Sequence, residues 1–151
     1  MSEGTKTVVS NRRARYEYEL DTPVEAGMVL TGSEVKSLRA GQATIAESFV
    51  DVRPEGVDLV GSHISPYNEA SYTNHEPTRR RRLLLHKREI AKLRKGVEQK
   101  GFTVVPLKIY FRDGRAKLLL ALGKGKKVHD KRHSIAERES KRRIERAIRD
   151  R

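Results

Sequence analysis

The residues of this chain that could do chemistry are mostly cations. Arg79-Arg80-Arg81-Arg82 runs directly into Leu83-Leu84-Leu85, and Gly123-Lys124-Gly125-Lys126-Lys127 opens a basic C-terminal stretch. Four adjacent guanidinium groups repel one another and an anion would relieve that repulsion, so Arg79, Arg80, Arg81 and Arg82 are candidate phosphate contacts. An extended backbone would send Arg79 and Arg81 one way and Arg80 and Arg82 the other, which leaves some of the four to a purely structural role. The glycine-lysine stretch lacks the spacing and the following Ser or Thr of a phosphate-binding loop, and reads as a flexible basic hinge.

Catalytic constellations are not evident. His63, His75 and His86 stand beside no nucleophile motif, and there is no Gly-x-Ser-x-Gly elbow. His129 and His133 are four apart, a spacing that lets a helix offer both to a metal. Lys127, Lys131 and Arg132 would repel a divalent cation there, and no third ligand is fixed nearby. No enzyme activity, metal or cofactor is expected. Tyr67 and Tyr72 could stack on unpaired bases, but aromatics make up only 5% of the chain, less than single-strand readers use. Recognition of a folded RNA or a duplex by shape and phosphate fits the composition better.

The rest of the composition points the same way. The 151 residues include 33 Lys+Arg against 20 Asp+Glu, a net charge of +13, and such a surplus attracts polyanions at long range. There is no cysteine, which removes disulfides, thiol nucleophiles and Cys-type metal sites. No stretch approaches the roughly 18 apolar residues needed to span a bilayer, and the N-terminus has no apolar leader, so a cytoplasmic protein is expected. Over half of the net charge, +7, lies between Lys124 and Arg151. The division expected is a flexible N-terminus at 1–9, a folded body at 10–123 and a basic tail at 124–151.

Period-2 patterns dominate the body. Val105, Leu107, Ile109 and Phe111 alternate with Pro106, Lys108, Tyr110 and Arg112, then Asp113-Gly114 signals a type I′ turn. On the return strand Ala116, Leu118, Leu120 and Leu122 share a face, giving a hairpin with an apolar side and a basic side of Lys108, Arg112 and Lys117. A second hairpin joins Ser48–Arg53 to Val57–Ile64. Strands are also predicted at Arg15–Asp21, Met28–Thr31 and Leu83–Leu85, and Ser65–Thr78 reads as a long loop. One helix is predicted from about Ser33 to Gly41, and another from Lys87 to Lys100, with Ile90, Leu93 and Val97 on one stripe. Short antiparallel strands with two small helices argue for an OB-like closed barrel, mainly β, with a sandwich as the alternative.

The tail is written to become a helix. Ser134 and Glu137 form a capping box, and Glu137–Lys141, Glu139–Arg143 and Glu145–Arg149 are favourable i,i+4 pairs. Pairs worth about 0.2–0.5 kcal/mol each do not hold an isolated helix of this length, so it should be disordered when free and order in a polyanionic groove.

Gly32-Ser33-Glu34-Val35-Lys36-Ser37-Leu38-Arg39-Ala40-Gly41, Pro77-Thr78-Arg79 leading into Leu83-Leu84-Leu85, and Gly123-Lys124-Gly125-Lys126-Lys127 followed by His129-Asp130-Lys131-Arg132 closely resemble the SsrA-binding protein family. These are the tmRNA-binding proteins of bacterial trans-translation. The resemblance runs from about Val9 into the tail, and implies a six-stranded antiparallel OB-like barrel with a non-enzymatic adaptor role. It implies that the barrel binds the tRNA-like domain of tmRNA and reaches stalled ribosomes with it and with elongation factor Tu. By the same resemblance the RNA contacts are Asn11, Glu25, Leu84 and Lys117, supported by Lys124, Lys126 and Lys127. Glu25 could accept hydrogen bonds from base amino or imino groups and so give specificity that phosphate contacts cannot; read alone, it is an exposed turn residue. His129, Asp130, Lys131 and Arg132 would enter the small-subunit decoding centre, and the tail would follow the empty messenger channel. A short capping side chain would start the helix at Lys87 better than His86 does. A monomer is expected. A structural ribosomal protein or a general RNA binder would share the composition.

Overall fold

The structure, a computed structural model, describes residues 5–67 and 74–126. In chain order its elements are β1 (Thr5–Ser10), α1 (Ala14–Glu17), β2 (Tyr18–Leu20), β3 (Val24–Met28), α2 (Gly32–Arg39), β4 (Ala43–Thr44), β5 (Phe49–Arg53), β6 (Gly56–Val60), β7 (His63–Ile64), β8 (Arg81–Leu84), α3 (Lys87–Val97), β9 (Phe102–Arg112) and β10 (Arg115–Gly125). Strands β9, β5, β6, β8, β3 and β10 pair antiparallel in that order, and β10 pairs back onto β9 to close a six-stranded barrel. The closed barrel is thus the fold expected from the sequence. β1 adds to one side of β9, β2 to one end of β10, and β4 pairs with β7 as a separate ribbon.

The β9–β10 hairpin is specified locally. Asp113 and Gly114 adopt φ of 50° and 80°, the two left-handed residues that a type I′ turn requires. Inside, Leu118, Leu120, Ile109 and Phe111 join Val57, Leu59 and Leu83 in one apolar core. The alternation read along β9 holds only for its second half. Leu119 pairs with Lys108 but Leu120 pairs with Pro106, so Leu107 is a bulge that reverses the phase. Before the bulge Val104 enters the core instead of Val105, whose side chain lies beside Gly123. The carbonyl of Leu107, left without a ladder partner, accepts the backbone N–H of Asn11 at 2.7 Å.

Several boundaries differ from expectation. Residues 5–9 are not a flexible N-terminus, because they belong to β1, in register with β9 from Thr5↔Arg112 to Ser10↔Lys108. Residues 14–17 form one helical turn rather than a strand, and the strand expected at Met28–Thr31 lies earlier, at Val24–Met28. β10 runs to Gly125, which places Lys124 in the sheet and not in the tail.

The helices cover parts of the barrel. α2 starts one residue before Ser33, where Thr31 Oγ1 accepts the Glu34 N–H and Glu34 Oε1 accepts the Thr31 N–H at 2.8 Å. This Thr31-x-x-Glu34 box defines the first turn. α3 starts as expected and ends at Val97. Its N-terminal His86 N–H donates to Glu89 Oε1 at 3.0 Å, and Gly96 lets it approach β10, since a Cβ there would sit 2.4 Å from a Leu122 methyl.

Candidate nucleic-acid interface

With Ala26, Leu83, Leu118 and Leu120 in the core, alternation turns Glu25, Gly27, Leu84, Lys117 and Leu119 outward. Cross-strand register then builds two rows on the outer face. Thr7, Tyr110, Lys117, Gly27 and Leu84 form one row across β1, β9, β10, β3 and β8. Ser10, Lys108, Leu119 and Glu25 form the next. Arg112 faces Arg115 at the hairpin end. Gly27 carries no side chain, and that of Leu84 leans over it, with Cβ and Cδ1 3.4 and 3.6 Å from where a Gly27 Cβ would sit; Leu84 is 59% exposed, unusual for so large an apolar residue.

Tyr110 organises this surface. Its ring lies under the Lys108 ammonium and the Arg112 guanidinium, 5.3 and 5.9 Å from its centroid. Its hydroxyl donates to Glu25 Oε2, and Arg112 Nη1 pairs with the same oxygen at 3.0 Å. Burial first, then the Glu25 hydrogen bond and charge, push the Tyr110 phenol up to about 12. Both contacts fall on Oε2, which leaves Oε1 of Glu25, among the described residues, without a hydrogen-bond donor. A fixed carboxylate with an open oxygen, surrounded by cations, can accept from a base while its neighbours hold phosphates.

The structure therefore brings Glu25, Leu84 and Lys117 onto one face, with Asn11 at its margin. Asn11 Nδ2 donates to Pro106 O at 2.9 Å, and the residue lines a cleft of about 280 Å³ together with Lys108 and Leu119. Lys124 and Lys126 are not part of this group: they lie seven residues or more further along the chain, roughly 20 Å from Lys117 at strand rise. Lys124 Nζ sits 5.9 Å from the Phe102 ring, and Lys126 Nζ donates to Arg15 O at 2.9 Å. Lys127, Tyr72, His129, Asp130, Lys131 and Arg132 lie outside the described residues. Tyr67 lies near Lys36, 5.5 Å from ring to ammonium, and its backbone is bracketed by the Asn74 amide.

The four arginines are all engaged by carboxylates of this chain. Arg81 is fully buried and cannot reach an RNA. Its Nε and Nη2 meet Glu34 Oε2 at 2.7 and 2.6 Å, and its other hydrogens go to Ser62 and to the Pro77 carbonyl. Arg79 binds the same carboxylate at 2.6 Å. Burial acts to raise the Glu34 pKa, but hydrogen bonds from Arg79, the Thr31 N–H and Arg81, with the Arg81 charge, hold it at about 2. On the opposite side Arg80 and Arg82 converge on Asp58, at 3.1 and 2.9 Å, and Arg80 also on Asp51 at 2.9 Å. Alternation along the strand was the right guide, but both sides end on carboxylates of this chain.

Lys108, Tyr110, Arg112 and Arg115 are the members of the face that the sequence reading did not assign to a site. Tyr110 could have been singled out by its place between Lys108 and Arg112 on the basic side of the hairpin. Among the described residues no cluster of His, Asp and Glu could hold a metal ion, and no helix is long and apolar enough to cross a membrane.

Residues 8–150 match the family model described as SmpB protein. An SsrA-binding protein of Thermobifida fusca (strain YX) is 52% identical over 149 residues, covering 99% of this chain and 93% of its own length. One of Mesorhizobium japonicum is 54% identical over 147 residues, covering 97% and 92%. A solved chain from "tmRNA-SmpB: a journey to the center of the bacterial ribosome" aligns with a TM-score of 0.67 and 48% identity, over 83% of this chain and 92% of that one.

Proposed function

This chain belongs to the SmpB protein family, and from that premise we propose that it is an RNA-binding adaptor of trans-translation that binds tmRNA and acts with it on the ribosome. The observation that carries the assignment to a surface is the row Tyr110–Lys117–Gly27–Leu84 beside Glu25. Lys108, Arg112, Arg115 and Lys117 hold phosphates of the tRNA-like domain, while Leu84 packs on an exposed base or sugar and Glu25 Oε1 accepts from a base edge. Phosphate contacts set orientation and the carboxylate sets identity. Lys124, Lys126 and Lys127 begin a second contact at the root of the tail. His129, Asp130, Lys131 and Arg132 enter the decoding centre when no codon fills it, and the basic segment beyond follows the vacant messenger channel. The protein works as a cytoplasmic monomer, and elongation factor Tu joins through the tmRNA.

The experiment is binding of the full chain to tmRNA and to a length-matched unrelated RNA over a salt series, with Glu25→Ala and Lys117→Gln. Glu25→Ala should reduce the preference for tmRNA. Lys117→Gln should weaken both RNAs and lower the salt slope by about one. Equal binding of both RNAs by the unmodified chain would overturn the proposal.

A further inference from the structure

The guanidinium groups of Arg79 to Arg82 are all engaged by carboxylates of this chain, which turns attention to cations that have no such partner. α3 carries Lys87, Arg88, Lys92, Arg94 and Lys95, all exposed, and exposed Lys100 follows it. Among the described residues none of these six has a carboxylate within ion-pair distance. Helical geometry sets Arg88, Lys92 and Lys95 within about 60° of one another, on the side opposite Ile90, Leu93 and Val97. They form a straight cationic stripe about 10 Å long.

Its position matters as much as its charge. α3 begins three residues after Leu84, at the edge of the barrel face. Just beyond its far end, Gly101 O accepts the Gly125 N–H at 3.3 Å and Phe102 pairs with Lys124. The helix therefore runs, over about 16 Å, from the Leu84 side of the face to the root of the tail. The stripe has no aromatic and no carboxylate, so it has the means to grip a backbone and none to read a base.

We propose that Arg88, Lys92 and Lys95 are a phosphate track that holds the sugar-phosphate backbone of the RNA lying on the barrel face and leads it toward the root of the tail. This rests on the reading of that face as the tmRNA site. The partner is the bound tmRNA, and ribosomal RNA is the competing source of the same phosphodiester chemistry.

The test uses the full chain with Arg88→Gln, Lys92→Gln and Lys95→Gln combined. Glutamine is nearly as good a helix former as the residues it replaces, and an unchanged far-UV spectrum and melting temperature establish folding. Affinity for tmRNA is measured from low to high potassium chloride. Loss of three phosphate contacts should lower the slope of log Kd against log salt by about 2 to 3 and weaken binding at physiological salt about 10- to 100-fold. The control Lys6→Gln with Arg39→Gln removes two cations that line a separate cleft with Leu38 and Phe111 and belong neither to α3 nor to the two rows of the barrel face. An equal slope loss per charge in that control would overturn the track in favour of the general field. An unchanged tmRNA slope in the triple variant would also overturn it, even if vacant small ribosomal subunits bound less well, since the stripe would then serve ribosomal RNA. Lys117→Gln alongside separates the two readings: if it weakens tmRNA while the triple variant does not, the face stands and the track falls. If Lys117→Gln changes nothing, the face assignment fails while the slope of the triple variant still decides whether α3 touches RNA.

Discussion

Replacing Glu34 by glutamine removes one charge from the centre of a closed network while keeping its shape. Glu34 and Arg81 are both fully buried, and the carboxylate also accepts from Arg79 and from the Thr31 N–H. Glutamine would turn an NH2 group toward guanidinium hydrogens and leave Arg81 as an uncompensated buried cation, which typically costs about 3–5 kcal/mol. A second route gives a similar figure. The Glu34 carboxyl falls from its ordinary 4.5 to about 2 in the folded chain, which corresponds to about 3 kcal/mol of linkage free energy. Because the folded pKa is depressed, that stabilisation is present above about pH 4.5 and is lost as the pH falls toward 2. Urea unfolding of Glu34→Gln at pH 7 should therefore show a loss of about 3 kcal/mol or more, and thermal unfolding a midpoint lower by about 10 °C. The difference between the two proteins should shrink as both are taken from pH 5 to pH 2.5. A loss below about 1 kcal/mol, or a difference independent of pH, would refute the account of the network as a buried charge balanced by one carboxylate.

Three further outcomes follow from particular contacts. The Tyr110 phenol, held up to about 12 by burial and Glu25, should give a component above the ordinary phenol range in an absorbance titration, and Tyr110→Phe should remove that late component. Its folded pKa is raised, so its contribution is complete below pH 10 and disappears as pH rises through 12; at neutral pH Tyr110→Phe should lose about 1 kcal/mol in urea unfolding. Gly114→Ala puts a side chain at φ 80° and should cost about 1–2 kcal/mol by the same measurement, with no effect expected if Gly114 had a negative φ. Arg80→Gln should leave tmRNA affinity within about twofold in a filter-binding assay, because its guanidinium is already occupied by Asp51 and Asp58; a tenfold loss would return Arg80 to the RNA contacts.

What could be read from the sequence was what neighbours in the chain decide. Asp113-Gly114 and the alternation around it place the β9–β10 hairpin because turn and strands lie within one continuous segment, from Phe102 to Gly125. The i,i+3 and i,i+4 stripe of Ile90, Leu93 and Val97 places α3 for the same reason. The burial of Arg81 was hidden because its partner Glu34 is 47 residues away and only the folded barrel joins them. The phase error on β9 has the same origin. Pro106 hints at an interruption, since proline cannot donate to a ladder, but the bulge at Leu107 is set by β10 and by Asn11 from across the sheet. β1 escaped notice because its burial is partial and its register is supplied by β9. For the site, resemblance to a family named Glu25, Leu84 and Lys117, and the fold supplied the reason they belong together: cross-strand rows that no linear spacing contains.

The barrel is unevenly fastened. β9 and β10 are zipped along most of their length, whereas β5 meets β9 at the single pair Val50↔Val104. A hoop of strands gives way at its weakest joint, so the slowest amides to exchange should lie in β9 and β10 and the first cooperative opening should part β5 from β9. α3 packs on both β5 and β9, across that joint. The helix is thus the latch of the hoop, and a polyanion gripping its outer side would also keep the barrel shut.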